Sequence, residues 1–172
     1  MSTIILLIFS FLTSNPQEKT TFDAFKFTLD GISCFQTTEE EIKKTYGDVT
    51  LTETDYECGF FSNREQKKIF YELIYPNIKW IGNSKDGYQI DEIQFDPVGK
   101  IQLKYEDLIF SGKTTQKEIE ELFSKEASSI NYQDRVEKNL KQLGDLFTNS
   151  DDGFHFLFHK GVLIEFHYWS PC

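Results

Sequence analysis

All three histidines of the chain, His155, His159 and His167, fall near its C-terminus, with Glu165 among them. They sit in two alternating stretches, Phe154-His155-Phe156-Leu157-Phe158-His159 and Val162-Leu163-Ile164-Glu165-Phe166-His167-Tyr168-Trp169, separated by Lys160-Gly161. Period-two alternation around a glycine-containing break predicts a β-hairpin. A two-residue turn would send the two apolar sets to opposite faces. A three-residue loop, His159-Lys160-Gly161, instead puts Phe154, Phe156, Phe158, Val162, Ile164, Phe166 and Tyr168 on one buried face. The other face then shows His155, Leu157, Leu163, Glu165, His167 and Trp169. In that register His155 lies opposite Glu165, with His167 two residues further along. Histidine with carboxylate is the material of a zinc site or of a general-base pair. Ordinary cross-strand pairing on an exposed face is the plainer reading, because the helical His-Glu-x-x-His spacing is absent. No catalytic residue, metal or cofactor is therefore expected.

Other nucleophile patterns are missing too: there is no Gly-x-Ser-x-Gly elbow, phosphate loop or dinucleotide fingerprint. The chain has three cysteines, Cys34, Cys58 and Cys172, at spacings that match no zinc site. Their chemistry depends on the compartment. Residues Ile4–Leu12 (IILLIFSFL) form a short apolar run, followed by Thr13-Ser14-Asn15-Pro16, which reads as a secretory signal peptide over residues 1–16. No Cys ends the run, so no lipobox is present. Export makes oxidation of the thiols more favourable than nucleophilic use. Three pairings are possible; Cys34 with Cys58 is preferred because both flank the same predicted helix.

The elements that position these residues announce themselves as an internal near-repeat. Residues 35–47 read FQTTEEEIKKTYG and residues 112–124 read GKTTQKEIEELFS, so Thr37, Thr38, Glu41 and Ile42 recur at an offset of 77 as Thr114, Thr115, Glu118 and Ile119. Each copy carries a capping box, Thr38 with Glu41 and Thr115 with Glu118, and then an apolar stripe at i, i+3, i+4. That predicts one short amphipathic helix per copy, the first ended by Gly47 in a left-handed conformation. Strands are predicted at Tyr56–Ser62, Lys68–Tyr75, Ile78–Gly82, Tyr88–Phe95 and Lys100–Tyr105, and a third helix over Tyr132–Phe147 from the spacing of Val136, Leu140, Leu143 and Phe147.

Two helix openings of the form Gly-Lys-Thr-Thr-x-x-Glu-Ile, each followed by antiparallel strands, resemble the tandem-repeat β-lactamase-inhibitor-protein-like fold. They are similar also to the single-repeat SmpA/OmlA outer-membrane lipoproteins. The resemblance implies an α+β chain in which two helix-plus-antiparallel-strand repeats, residues 17–104 and 105–172, form one curved sheet with the helices packed on one face. It further implies that the open sheet face grips another protein, without catalysis or cofactor.

Composition agrees with a protein-binding role. Aromatic residues make up 16% of the chain, which favours a folded, sheet-rich protein. The net charge is −10, with Arg64 and Arg135 the only arginines, so a phosphate backbone would be repelled and nucleic acid is excluded as a partner. No later stretch approaches the roughly 20 apolar residues that span a bilayer. Trp and Tyr dominate interface hot spots. The expected contact residues are Trp80, Tyr88, Asp91, His155, Glu165, His167 and Trp169. The leading expectation is an exported, periplasmic or secreted inhibitor or immunity-type protein whose partner is a basic enzyme or toxin. An accessory subunit of an envelope assembly and a small hydrolase or metal-binding protein using His155, Glu165 and His167 are the alternatives.

Overall fold

A computed structural model describes residues 23–122, 140–146 and 151–172. Its regular elements are two antiparallel sheets with short helices, an α+β arrangement. In chain order they run β1 (Phe27–Leu29), β2 (Ile32–Ser33), α1 (Glu39–Tyr46), β3 (Thr52–Glu53), the one-turn α2 (Asn63–Gln66), β4 (Tyr71–Tyr75), β5 (Ile78–Asn83) and β6 (Gly87–Gln94). Then follow β7 (Leu103–Tyr105), β8 (Leu108–Phe110), α3 (Gln116–Leu122), β9 (Leu140–Leu146), β10 (Gly153–His159) and β11 (Val162–Trp169). The larger sheet has the order β3-β4-β5-β6-β11-β10-β9 and the smaller one β2-β1-β7-β8.

The strands are therefore divided between two sheets, where one was expected. The cause is the pairing of two short hairpins with each other: β1 pairs with β7 through Phe27 opposite Tyr105 and Leu29 opposite Leu103. That contact sets Phe27, fully buried, over the large sheet. Its ring centroid lies 5.1 Å from Phe154, 5.3 Å from Phe166 and 4.8 Å from Tyr105. Across the large sheet one row of directly opposed residues, Tyr75, Ile78, Ile93, Phe166, Phe156 and Leu143, faces this core. Ile42 of α1 and Ile119 of α3 join the same core, both at 0% exposure.

Both capping boxes form. Glu41 N donates to Thr38 Oγ1 (3.2 Å) and Thr38 N to Glu41 Oε2 (3.3 Å); Glu118 N donates to Thr115 Oγ1 (3.3 Å) and Thr115 N to Glu118 Oε2 (2.7 Å). These satisfy two otherwise orphaned N–H groups at each helix start. Gly47 ends α1 with φ 92° and ψ 171°, a positive φ that glycine accepts but not the left-handed helical conformation. Gly112, which opens the second copy, has a packing reason: a Cβ there would overlap the Asp96 carbonyl oxygen. At the corresponding position of the first copy Phe35 is buried, packing against Phe27, Phe154 and Phe166.

Several boundaries differ from expectation for identifiable reasons. Tyr56–Ser62 is a loop: Gly59 takes φ 87°, Ser62 N donates to the Gly59 carbonyl oxygen at 3.2 Å in a turn, and the Ser62 side chain caps α2 by accepting from Glu65 N at 3.3 Å. Leu140–Leu146, expected to be helical, is a strand paired with β10 along its whole length, with Leu143 in the core. The ladder and the facing phenylalanines outweigh a helical spacing of leucines. The remainder of the expected Tyr132–Phe147 helix and the expected signal peptide lie outside the described residues.

The cysteine pairing also differs. Cys58 bonds Cys172, Cα atoms 5.2 Å apart, and Cys34 is a free buried thiol. Cys34 is at 0% exposure, its backbone held between Phe27 and Ile90, so it cannot meet a cysteine on a surface loop. Burial, and secondarily Asp30, pushes its thiol pKa well up. The chain end beyond β11 instead returns beside the Tyr56–Ser62 loop, where Phe60 N donates to Ser170 Oγ at 3.1 Å.

Candidate functional site

The C-terminal hairpin combines the two connections that the sequence posed as alternatives. Its turn has two residues, with Lys160 at φ 52° and Gly161 at φ 79° and His159 paired with Val162. Ile164 is then an extra residue in β11: Phe158 pairs with Leu163, but Leu157 pairs with Glu165. This β-bulge restores the face that the short turn would have reversed, so Phe154, Phe156, Phe166 and Tyr168 still share one side. It also changes the facing pairs. His155 lies opposite His167, and Glu165 lies opposite Leu157.

A second bulge operates in β6. Lys79 pairs with Glu92 and Trp80 with Ile90, leaving Asp91 as the extra residue. Ile90 and Ile93 are both fully buried as a result. The bulged carboxylate turns to Tyr56 Oη, which donates to Asp91 Oδ1 at 2.7 Å, and to Lys79 Nζ at 3.2 Å. Burial raises the Tyr56 pKa, and the neighbouring Asp91 charge adds to it. For Lys79, burial disfavours the ammonium, yet the Asp91 and Glu72 carboxylates outweigh it and raise its pKa.

With both bulges in place, a second row crosses the large sheet on the face away from the core: Ile74, Lys79, Glu92, His167, His155 and Gly144. At its centre His167 Nδ1 lies 2.7 Å from Glu165 Oε1, and His167 Nε2 lies 3.2 Å from His155 Nδ1. Gln142 Nε2 approaches His155 Nδ1 at 2.6 Å. The His155 and Trp169 ring centroids are 5.5 Å apart. Gly144 makes room for this arrangement, because a Cβ there would overlap His155 Cδ2 and stand 2.6 Å from the Phe154 carbonyl oxygen.

Four of the seven expected contact residues thus come together: His155, Glu165, His167 and Trp169. The other three do not join them. Trp80 is at 0% exposure in the core. Tyr88 is buried, bridged to Thr37 through its backbone, and its hydroxyl lies 3.5 Å from Glu39 Oε2; burial, then the Glu39 charge, pushes its pKa up to about 12. Asp91 is buried at the β6 bulge. Gln142 and Gly144 were not anticipated. A glycine inside a strand is itself the signal of close approach, but the leucine spacing around Gly144 predicts a helix there.

No protein-family model, no curated protein and no solved structure matches this chain. Function has to be argued from the site itself. A general base needs an imidazole nitrogen aimed at a nucleophile, with the other nitrogen oriented by a carboxylate. Glu165 supplies the orientation, but Nε2 of His167 faces a second imidazole. Among the described residues no three His, Cys, Asp or Glu side chains group so as to hold a metal ion. The rest of the face suits contact: Trp169 is 38% exposed and Ile74 50% exposed, while Gln94 is exposed beside half-buried Glu92.

Proposed function

We propose that the chain is a non-catalytic protein-binding module that occludes a partner with the open face of its large sheet, as an inhibitor or immunity-type protein does. The observation that carries this reading is the exposed Trp169 beside the ordered His155–His167–Glu165 cluster. An aromatic anchor against side chains already fixed by hydrogen bonds binds with little loss of rotamer freedom. The net charge of −10 suits a basic partner, with electrostatics speeding encounter more than fixing affinity.

The disulfide supports export to an oxidising compartment, as does the signal-like start. No helix among the described residues is long and apolar enough to cross a membrane. We further propose that the chain is a tandem repeat of the β-lactamase-inhibitor-protein-like kind. The order β1–β2, α1, β4–β6 is followed by β7–β8, α3, β9–β11, and the strand orders β4-β5-β6/β11-β10-β9 and β2-β1/β7-β8 are mirror sequences. On this reading the second unit opens at Leu103, because β7 pairs with β8.

The test is affinity capture from extracts of the producing organism, followed by hydrogen-exchange footprinting of the isolated complex. Protection of β6, β10 and β11 with loss of the partner in a His167→Ala/Trp169→Ala variant is expected. Protection confined to α1, α3 or the small sheet would overturn the reading.

A further inference from the structure

At the end of β11 lies a cavity of about 260 Å³, walled by Tyr56, Phe60, Phe61, Tyr168 and Trp169 with Glu57 on its lining. The Cys58–Cys172 disulfide closes one side. The floor is fixed: Phe61 and Tyr168 are buried, with ring centroids 5.3 Å apart, and Tyr56 is tied by its hydroxyl to Asp91. The rim is open, with Phe60 at 47% and Trp169 at 38% exposure. Two crosslinks hold that rim in place without partner, the disulfide and the bond from Phe60 N to Ser170 Oγ.

Resting on the protein-binding reading, we propose that this cavity receives one arginine side chain of the partner. Aromatic faces present negative potential and attract a cation laid over them, and a guanidinium stacks there best because it is planar and weakly hydrated. Glu57, exposed, supplies a carboxylate that a guanidinium can meet with two parallel hydrogen bonds. The size agrees: the cavity is below the roughly 300–1,000 Å³ of sites for cofactors and drug-sized ligands, and it fits one long side chain. The surplus of 28 acidic over 18 basic residues makes the whole surface favour a cationic visitor. Arg64 reaches the Glu57 carbonyl oxygen at 3.5 Å but is not part of the cavity wall.

The two tryptophans give a direct readout, since Trp80 is buried in the core and Trp169 lines the cavity. ¹⁵N-labelled protein is titrated with acetyl-Gly-Arg-Gly-amide while both indole N–H cross-peaks are followed, with the citrulline and lysine peptides as comparators. A saturable shift of the Trp169 peak with the Trp80 peak unmoved is expected, and the neutral citrulline peptide should give none. Glu57→Gln and Phe60→Ala should each weaken binding about two- to fivefold, with the unmoved Trp80 peak reporting that the variants are folded. No saturable shift, or equal shifts with citrulline, overturns the proposal; equal affinity for the lysine peptide overturns the guanidinium assignment. The sheet-face reading is tested separately through His167. Capture that survives Glu57→Gln and Phe60→Ala but fails in His167→Ala would remove the cavity alone, and the converse would remove the sheet face alone.

Discussion

The bond between Cys58 and Cys172 ties the last residue of the chain to a loop 114 positions earlier, and this separation sets the size of its effect. Opening the crosslink releases the unfolded chain from a loop of that length, worth about 5 kcal/mol in the loop-closure model. The bond also holds Phe60 and Ser170 against the end of β11, so part of the loss is native-state order. A Cys58→Ala/Cys172→Ala variant should be about 3–5 kcal/mol less stable in urea unfolding followed by near-ultraviolet circular dichroism. For a chain of this size that corresponds to a fall in Tm of about 6–20 °C. Reductant should reproduce the loss in the parent and change nothing in the variant. Thiol titration adds an independent check. The native, unreduced protein should present no reactive thiol, and the denatured one should present Cys34 alone, because the only free cysteine is fully buried. The reasoning is refuted if reduction shifts Tm by less than about 2 °C. It is refuted equally if peptide mapping of the unreduced chain finds Cys34 in the crosslink.

Other perturbations follow from the same packing. Phe27→Ala, which empties the joint between the two sheets, should cost about 4 kcal/mol in denaturant unfolding. Trp80→Ala should cost about as much and act on folding, so any lost binding tracks the unfolded fraction. Gly144→Ala has to displace both His155 and the Phe154 backbone; a loss of about 1–3 kcal/mol is expected, with His155 and His167 ring resonances moved in NMR spectra. Asp96 gives the pH dependence. The backbone N–H groups of Ile101 (2.9 Å), Lys100 (2.8 Å) and Val98 (3.0 Å) donate to its carboxylate and hold its pKa below the ordinary value of 3.8. The stability it supplies is full above that value and is lost as pH falls through the folded pKa. Asp96→Asn should therefore melt below the parent at pH 7, and the two curves should converge as the solution is acidified.

Much of the frame was legible because it rests on local chemistry. The capping boxes at Thr38 and Thr115 need only residues three apart, and both formed. Alternation located β4, β5, β6, β10 and β11 to within a few residues. What escaped were features decided by distant partners. β1 and β2 are too short to announce themselves; they are strands because they pair with each other and β1 pairs with the distant β7. Leu140 and Leu143 sit at a spacing that a helix also satisfies, and only the phenylalanines of β10 decide for a strand. The partner of Cys58 depends on where the chain end returns, which no local pattern encodes.

The bulges explain why the candidate site was half readable. Strict alternation forbids two core positions three residues apart on one strand, yet Ile90 and Ile93 are both buried, and so are Leu163 and Phe166. An apolar pair at i, i+3 inside an otherwise alternating strand is the signature of one inserted residue, and here the inserted residues are Asp91 and Ile164. Each insertion shifts register beyond it. In β11 the shift carries Phe166 and Tyr168 back onto the core face, and the same shift sets His167 opposite His155, where an unbulged strand after the two-residue turn would set Phe166. In β6 it releases Asp91 from the ladder to hold Tyr56, which walls the cavity next to Trp169. The packing of phenylalanines on one side of the sheet thus fixes the spacing of the histidines on the other. Deleting Ile164 removes only the inserted residue: Phe158 stays opposite Leu163 and Leu157 opposite Glu165 in a regular ladder, so the 3.2 Å contact between His155 and His167 should survive with the fold retained, and its loss would refute this account of the bulge.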